Sequence, residues 1–161
     1  MFRLYSGSFK KYLPKWCFLY EMEKTVSHGK ILIYYISTRL LNNKEYSLIK
    51  LPLVGFIEGI INFNRSELEI TYLRSNIRNK GFGTLLLYII IQNAYKEGIK
   101  RVLLDDDSGN YRQSKNIYKN LGFNYIEEYG PEMSANINQI MNKFPQMLYK
   151  YKWYNIPFLN H

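Results

Sequence analysis

The stretch from Glu67 to Gly98, where a strand pattern passes through two glycines into a long apolar helix, most constrains the fold. Residues Glu67–Arg74 (ELEITYLR) alternate polar and apolar side chains as a half-buried strand does. Gly81 and Gly83 follow, and Thr84–Glu97 (TLLLYIIIQNAYKE) is long enough for a buried helix that ends at Gly98. The segment therefore predicts a strand, a glycine turn and a helix in direct succession.

The elements on either side extend this unit. Two earlier segments rich in Ile, Val, Tyr and Phe are predicted strands, and three short elements follow the helix. These predicted elements are the strands Lys30–Ser37, Leu53–Phe63 and Arg101–Asp105, the helix Tyr111–Leu121 and the strand Phe123–Glu128. Ser108 or Asn110 could cap the second helix, and Gly122 ends it. Strands and helices that alternate over short connections predict an α/β layer architecture.

The C-terminal part predicts one more helix and one more strand. Pro131–Phe144 has an amphipathic spacing, and Met147–Tyr154 (MLYKYKWY) alternates as a last strand. Tyr149, Tyr151 and Trp153 would share one face of that strand, packed in the sheet or walling a substrate pocket. The 130–146 connection is longer than a hairpin loop, so it is a candidate cover for the substrate or a homodimer contact.

Length and composition bound the class of protein. The chain has 161 residues, which is the size of one domain, and we expect a single domain over residues 1–161. Apolar residues make up 47% and charged residues 22%, which excludes a disordered chain. No apolar run reaches membrane-spanning length, and the N-terminus lacks the apolar core of a signal peptide. The single cysteine, Cys17, excludes an internal disulfide, so we expect a cytoplasmic protein without membrane partners.

The net charge of +9 raises the question of a nucleic-acid partner. The lysine excess is spread along a chain rich in Asn, Ile, Lys and Tyr, residues with A- and T-rich codons, and it forms no dense basic cluster. This argues against nucleic-acid binding. Asp105–Asp107 has no matching His or carboxylate cluster, and His28 and His161 are isolated, so no metal site is predicted.

The glycine turn has the features of an anion site. Glycines let successive backbone N–H groups point into one concavity, and a helix N-terminus adds unpaired N–H groups. Arg78 and Lys80 supply positive charge at the rim. A Walker loop would require Gly-Lys-Ser/Thr, and a Rossmann fingerprint would require glycine where Leu86 stands. The alternative is a tightly packed turn with two solvated basic residues.

Two motifs match one family. The segment 78–83 (RNKGFG) resembles the Arg/Gln-x-x-Gly-x-Gly/Ala signature of the GNAT superfamily of acetyl-CoA-dependent N-acetyltransferases, and Ile117–Phe123 (IYKNLGF) resembles its Tyr-x-x-x-Gly-Phe signature. The resemblance covers about residues 53–129. It implies an α/β (α+β) fold with a mixed, mostly antiparallel twisted sheet that is splayed between its fourth and fifth strands and flanked by helices. Acetyl-CoA would lie in the gap, and no metal is implied.

The resemblance also implies which residues contact acetyl-CoA. The pyrophosphate would lie on the amides of the loop, and the pantetheine arm along the end of the strand before it. Asn110 stands beside Tyr111, the position where the family has asparagine, and Ser75 and Ser114 also depart from the family pattern. The implied contacts are Leu73, Ser75, Arg78, Asn79, Lys80, Gly81, Phe82, Gly83, Thr84 and Asn110.

Acetyl transfer to an amine requires a group that accepts a proton and a donor to the leaving thiolate. Tyr118 occupies the family's tyrosine position and is the predicted donor. Glu67 and Glu69 share one face of the strand beside the gap, and Glu58 lies on the preceding strand. Glu67 is preferred over Glu69 as the base, because it lies near the family's glutamate when counted back from Arg78. The alternative is that all three glutamates face solvent.

We therefore expect an N-acetyltransferase in which a primary amine attacks acetyl-CoA directly in a ternary complex. The alternatives are a catalytically inactive CoA-binding interaction or sensor module and a small basic nucleic-acid-binding domain. The acceptor is open among a protein N-terminus, a lysine side chain, a polyamine, an amino sugar and an arylamine. The charge of +9 disfavours a strongly cationic acceptor unless Glu58, Glu67, Glu69 and Asp105–Asp107 make the pocket locally acidic.

Overall fold

The structure is a computed structural model that describes residues 2–5, 18–37, 53–76, 81–107 and 116–150. These ranges hold eight strands and three helices. In chain order they are β1 (Phe2–Tyr5), β2 (Phe18–Val26), β3 (Gly29–Ser37), β4 (Leu53–Asn62), β5 (Glu67–Ser75), α1 (Phe82–Lys96), β6 (Arg101–Asp105), α2 (Ile117–Leu121), β7 (Asn124–Tyr125), β8 (Glu132–Asn136) and α3 (Ile137–Lys150). The predicted elements at 30–37, 53–63, 67–74, 84–97 and 101–105 are confirmed as β3, β4, β5, α1 and β6.

The strands form one sheet in the order β1-β2-β3-β4-β5-β6-β8-β7. Every neighbouring pair among the described strands is antiparallel except β5 and β6, which are parallel and are joined through α1. A parallel pair requires such a crossover, because the chain must return to the end of the sheet where the first strand started before the second strand can begin. The result is the predicted mixed and mostly antiparallel sheet.

The core lies between one face of this sheet and the helices α1 and α3. Alternate residues of β4 face α1, and two of them are glycines that let the helix approach closely. A Cβ atom at Gly59 would lie 2.7 Å from Cδ1 of Ile90, and one at Gly55 would lie 2.8 Å from Cδ1 of Leu86. The close contact fixes α1, and therefore the N-terminal end of α1, against the sheet.

The sheet opens between β5 and β6. The two strands pair over four residue pairs, from Glu67–Arg101 to Ile70–Leu104. β5 then continues to Ser75 paired only with β4 among the described strands. The predicted splay is therefore present. It lies between the fifth and sixth strands in chain order, because the N-terminal strand β1 adds one to the count.

A β-bulge lies at the point where β5 leaves β6. Ile70 opposes Gly59 and Tyr72 opposes Glu58, so Thr71 is the extra residue on β5. The Thr71 hydroxyl donates to the backbone oxygen of Glu58 at 3.3 Å and to its Oε1 at 3.1 Å. Because a bulge increases local twist and redirects the strand, it helps to part the two strands.

The described part of the second predicted helix begins at Ile117. Asn116 has extended backbone angles, and its side chain accepts a hydrogen bond from the N–H of Tyr118, so it caps α2, whereas the predicted start at Tyr111 lies outside the described residues. The predicted caps Ser108 and Asn110 lie outside the described residues. The strand that follows is shorter than predicted, with two residues, Asn124 and Tyr125, in place of Phe123–Glu128.

The C-terminal prediction is correct for Ile137–Phe144, which is helical, and wrong for Glu132–Asn136 and for the described residues from Met147 onward. A strand, β8, comes first and pairs with both β6 and β7, and the helix α3 follows it as far as Lys150. The side chain of Asn136 accepts hydrogen bonds from the N–H groups of Asn138 and Gln139, which starts the helix there. The expected strand at Met147 is helical because Met147 extends the buried face that holds Phe144.

Only one residue of the aromatic stripe predicted for the last strand is described. Tyr149 lies on α3 with 66% of its surface exposed, and Tyr151 and Trp153 lie outside the described residues. No helix in the described part of the chain is long and apolar enough to cross a bilayer.

Candidate functional site

A cleft of about 670 Å³ occupies the gap where β5 and β6 part. One wall is the C-terminal half of β5, and the others come from the end of β6, the start of α1, the start of α2 and β8. The lining residues are Glu69–Ser75, Gly83, Leu87, Leu103–Asp105, Asp107, Ile117, Tyr118 and Glu132. Both sequence motifs, the glycine loop and the tyrosine helix, therefore contribute to one cavity.

The start of α1 presents backbone N–H groups beside the cleft. Gly81 is the N-cap, with φ 80°, a left-handed conformation that favours glycine. The first intrahelical bond runs from the N–H of Leu85 to the oxygen of Gly81 at 2.9 Å. The N–H groups of Phe82, Gly83 and Thr84 therefore precede the helical ladder. The first turn, all of which is described, holds no acidic residue.

Gly83 leaves the space in front of these N–H groups open. A Cβ atom at Gly83 would meet no described atom within 4 Å, and the residue lines the cleft. The side chains of Phe82 and Thr84 are buried, so these residues offer only their backbone. By contrast, asparagine side chains occupy the starts of α2 and α3. The start of α1 can therefore accept an external anion.

The edge of β5 presents backbone polar groups to the same cleft. The N–H of Asn76 donates to the oxygen of Val54 on β4 at 2.9 Å. Alternate residues of a strand direct their N–H and C=O groups to opposite edges, so those of Leu73 and Ser75 point away from β4 and toward the cleft. The structure thus brings Leu73, Ser75 and Gly83 together, as predicted. Arg78, Asn79, Lys80 and Asn110 lie outside the described residues.

Tyr118 lines the cleft from the first turn of α2. Its ring packs edge-on against Phe123 with centroids 6.1 Å apart. Burial, followed by the negative charges of Asp106 and Asp107, raises the pKa of the Tyr118 hydroxyl to about 12. The group therefore keeps its proton at neutral pH and can act as a hydrogen-bond donor.

The three predicted glutamates lie in different surroundings. Glu69 lines the cleft. Glu67 is outside the lining and forms an ion pair with the guanidinium of Arg101. Glu58 is also outside it and accepts the hydroxyl of Thr71. Glu69 therefore lies where a base for the cleft would be, whereas the pairing register gives Glu67, the glutamate that the sequence favours, a cationic partner.

The described lining is acidic although the chain is basic overall. Four carboxylates line the cleft, and Arg74 is the single cationic side chain among the described lining residues. The carboxylates belong to Glu69, Asp105, Asp107 and Glu132. Of the residues expected to make the pocket acidic, Glu69, Asp105 and Asp107 line it, whereas Glu58, Glu67 and Asp106 do not. Glu132 was not predicted, because the strand that carries it was not recognised.

Sequence reasoning also missed a buried polar cluster behind the cleft, formed by Asp106, Asn116 and Tyr125. Oδ2 of Asp106 accepts the Tyr125 hydroxyl at 2.6 Å and Nδ2 of Asn116 at 2.7 Å. The signal was three consecutive aspartates after a buried strand, since alternation turns one of them inward. Within the described ranges, no group of His, Cys, Asp and Glu is arranged to hold a metal ion.

Comparisons with known proteins agree with this geometry. A model of the acetyltransferase (GNAT) family matches residues 8–123. The fold is similar to archaeal Elp3 from Methanocaldococcus infernus, lacking residues 1–46, with 14% identity and a TM-score of 0.55 over 76% of this chain and 30% of that one. This chain therefore spans less than a third of that protein.

Two further solved structures are similar over most of their own length. A GNAT acetyltransferase from Staphylococcus aureus Mu50 has 18% identity and a TM-score of 0.49 over 66% of this chain and 68% of that one. The ribosomal-protein-S18-alanine N-acetyltransferase from Escherichia coli has 18% identity and a TM-score of 0.47 over 70% of this chain and 72% of that one. No curated protein sequence matches the chain.

Proposed function

The chain belongs to the acetyltransferase (GNAT) family, whose model covers residues 8–123, and on that premise we propose that it transfers the acetyl group of acetyl-CoA to a primary amine. The amine attacks directly in a ternary complex. The observation that carries the proposal is the cleft between β5 and β6, which is lined by Gly83 at the start of α1, by the end of β5 beyond its pairing with β6 and by Tyr118.

The proposed pyrophosphate site is the start of α1. The backbone N–H groups of Phe82, Gly83 and Thr84 would bind it, with Gly81 shaping the turn. The open space at Gly83 and the lack of an acidic residue in the first turn support the fit of a dianion. From the family motif we also propose contacts from Arg78, Asn79 and Lys80, and from Asn110 at the start of the tyrosine segment.

The proposed pantetheine site is the cleft-facing edge of β5. Its amide groups would pair with the backbone of Leu73 and Ser75 as an added strand pairs with a sheet edge. The parting of β5 from β6 after Ile70 supports this, because it opens that edge.

Acetyl-CoA supplies a thioester whose carbonyl carbon forms the new bond to the amine nitrogen as the bond to sulfur breaks. Alkylamines have a pKa near 10, so the acceptor enters mostly as an ammonium ion and must lose a proton. Glu69, the predicted base that lines the cleft, would accept this proton directly or through a water molecule. Tyr118 would donate its proton or a hydrogen bond to the departing thiolate, and its raised pKa favours the hydrogen bond because it makes the phenol a weaker acid.

The charge of the lining bears on the acceptor. Four carboxylates and one guanidinium line the described cleft, which favours an acceptor with a second positive charge besides the reacting amine. Apart from Arg74, the positive charges of the chain belong to residues outside this described lining, including Arg78 and Lys80 of the segment before α1. A polyamine or a basic peptide would fit this arrangement better than an amino sugar carrying an anionic group.

The first experiment is a calorimetric titration of the folded protein with acetyl-CoA, with ATP and NAD as controls. Saturable one-to-one binding of acetyl-CoA alone, followed by acetylation of at least one member of an amine panel, is the expected result. Binding without turnover on any amine would favour an inactive CoA-binding module. An absence of binding by protein with a cooperative unfolding transition would overturn the proposal.

A further inference from the structure

We propose that Asp106 is a positioning residue for this reaction, which holds Tyr118 in the cleft through Asn116 and Tyr125. The inference rests on the proposed acetyl transfer and assigns a role to a residue outside the cleft lining. Asp106 is 3% exposed, directly after β6, whereas its neighbours Asp105 and Asp107 line the cleft.

The carboxylate of Asp106 joins three elements. Its Oδ2 atom accepts the hydroxyl of Tyr125 on β7 at 2.6 Å and Nδ2 of Asn116, before α2, at 2.7 Å. Nδ2 of Asn116 also donates to the hydroxyl oxygen of Tyr125 at 3.1 Å. The N–H of Asp106 donates to the oxygen of Pro131 at 2.9 Å, which fixes the residue itself. The end of β6 is thereby tied to the start of α2.

Asn116 connects Asp106 to Tyr118 through its side-chain amide. Its Oδ1 atom accepts the backbone N–H of Tyr118 at 2.8 Å, and this bond is the N-terminal cap of α2. An ionised carboxylate only accepts hydrogen bonds, so Asp106 requires the NH₂ end of the Asn116 amide to face it. The amide oxygen must then face Tyr118. Asp106 therefore selects the orientation in which the cap can form.

The shortness of α2 makes this cap important. The helix has five residues, Ile117–Leu121, and a helix of that length has little stability of its own. The position of the Tyr118 ring therefore depends on the bonds that hold the helix start.

The test is a double-mutant cycle of Asp106→Ala and Tyr118→Phe, with kcat for acetyl transfer and the Kd for acetyl-CoA measured on all four proteins. We expect Asp106→Ala to lower kcat on the order of tenfold with the Kd nearly unchanged. In the Tyr118→Phe background it should cause no further loss, because Asp106 acts through that tyrosine. Asp106→Asn, which keeps an acceptor oxygen, should recover part of the rate.

A second readout does not depend on activity. Hydrogen exchange at the Tyr118 amide should be faster in Asp106→Ala than in the wild type, and unchanged in the control Tyr149→Phe on the exposed side of α3. If Asp106→Ala does not fold, Tyr125→Phe removes one donor from the same carboxylate and should show the same two effects more weakly.

Wild-type kcat and unchanged amide exchange in Asp106→Ala would overturn the positioning role. A rate loss that is fully additive with Tyr118→Phe would also overturn it, since Asp106 would then act independently of the tyrosine. Failure of the wild type to bind acetyl-CoA or to turn over would be failure of the proposed function instead, and the exchange measurement would still decide whether Asp106 holds the start of α2.

Discussion

Gly83 is the residue at which an added side chain tests the proposed acetyl-CoA site most directly. It lines the cleft at the start of α1, and a Cβ atom would meet no described atom within 4 Å. We predict that Gly83→Asp weakens acetyl-CoA binding on the order of tenfold or more, because a carboxylate would stand beside the pyrophosphate.

Gly83→Asn is the matched control for that charge, because it adds a side chain of the same size without a carboxylate, and it should weaken binding less than Gly83→Asp in the same calorimetric titration. Gly81 is a poorer position for the test, because its φ of 80° would add backbone strain to any substitution. Equal affinities of Gly83→Asp and the wild type for acetyl-CoA would contradict a pyrophosphate site at the start of α1.

The protonation of Tyr118 predicts a pH dependence of stability. Its pKa in the folded protein, about 12, lies above the ordinary value of 10. Below pH 10 both states are protonated. Between about pH 10 and 12 the unfolded chain loses the proton while the folded protein keeps it, so the free energy of unfolding falls as pH rises.

Tyr118→Phe should lose less stability than the wild type over this interval in urea unfolding at pH 9 and pH 11.5. The other tyrosines are common to both proteins and cancel in the comparison. A loss of the same size in both would mean that Tyr118 titrates near its ordinary value.

At the scale of elements, the contact between α1 and β4 sets where the cleft lies. At Gly59 an added Cβ atom would lie 2.7 Å from Cδ1 of Ile90 and 3.2 Å from the backbone oxygen of Glu69. We predict that Gly59→Ala lowers the free energy of unfolding by about 1–3 kcal/mol, because the added methyl group overpacks the contact with Ile90 and with the backbone oxygen of Glu69.

Urea unfolding of Gly59→Ala should be compared with Gly83→Ala, which adds the same methyl group at an open position of α1. The second variant should unfold within about 0.5 kcal/mol of the wild type. If both variants have the same stability, the approach of α1 to β4 is looser than these distances indicate.

At the scale of the whole molecule, charge is unevenly distributed. The chain carries +9, yet the described cleft lining carries four carboxylates and one guanidinium. We predict that a linear diamine is acetylated with a lower KM than a monoamine of equal chain length, on the order of tenfold at low salt, because its second ammonium group is attracted by the lining.

The difference should shrink as salt is raised from low to molar concentration, because partly solvated charges are screened. Initial-rate kinetics with the two amines at two salt concentrations measure it. A monoamine that is preferred at low salt would contradict a cationic acceptor.

Much of the region from β5 to β6 could be predicted from the sequence alone. Its elements follow from local patterns, each of which lies within one turn or one strand. These patterns are the alternation of Glu67–Arg74, the glycines at the two ends of α1 and the short apolar strand that starts at Arg101. The candidate anion site at Gly83 and the candidate role of Tyr118 were predicted in the same way, because a helix start and a motif spacing are carried by neighbouring residues.

The C-terminal helix and the orientation of the side chains near the cleft depended on contacts between segments far apart in the chain. Met147 alternates with its neighbours as a strand residue would, yet it is helical because the face that holds Phe144 packs into the core.

Glu67 and Glu69 are equivalent in the strand pattern, and only the pairing of β5 with β6 gives Glu67 the partner Arg101. Asp106 turns inward because Asn116 and Tyr125 meet it there. Periodicity and turn residues therefore determined the elements, whereas strand register and packing decided which side chains face the cleft, since those depend on partners that no local segment contains.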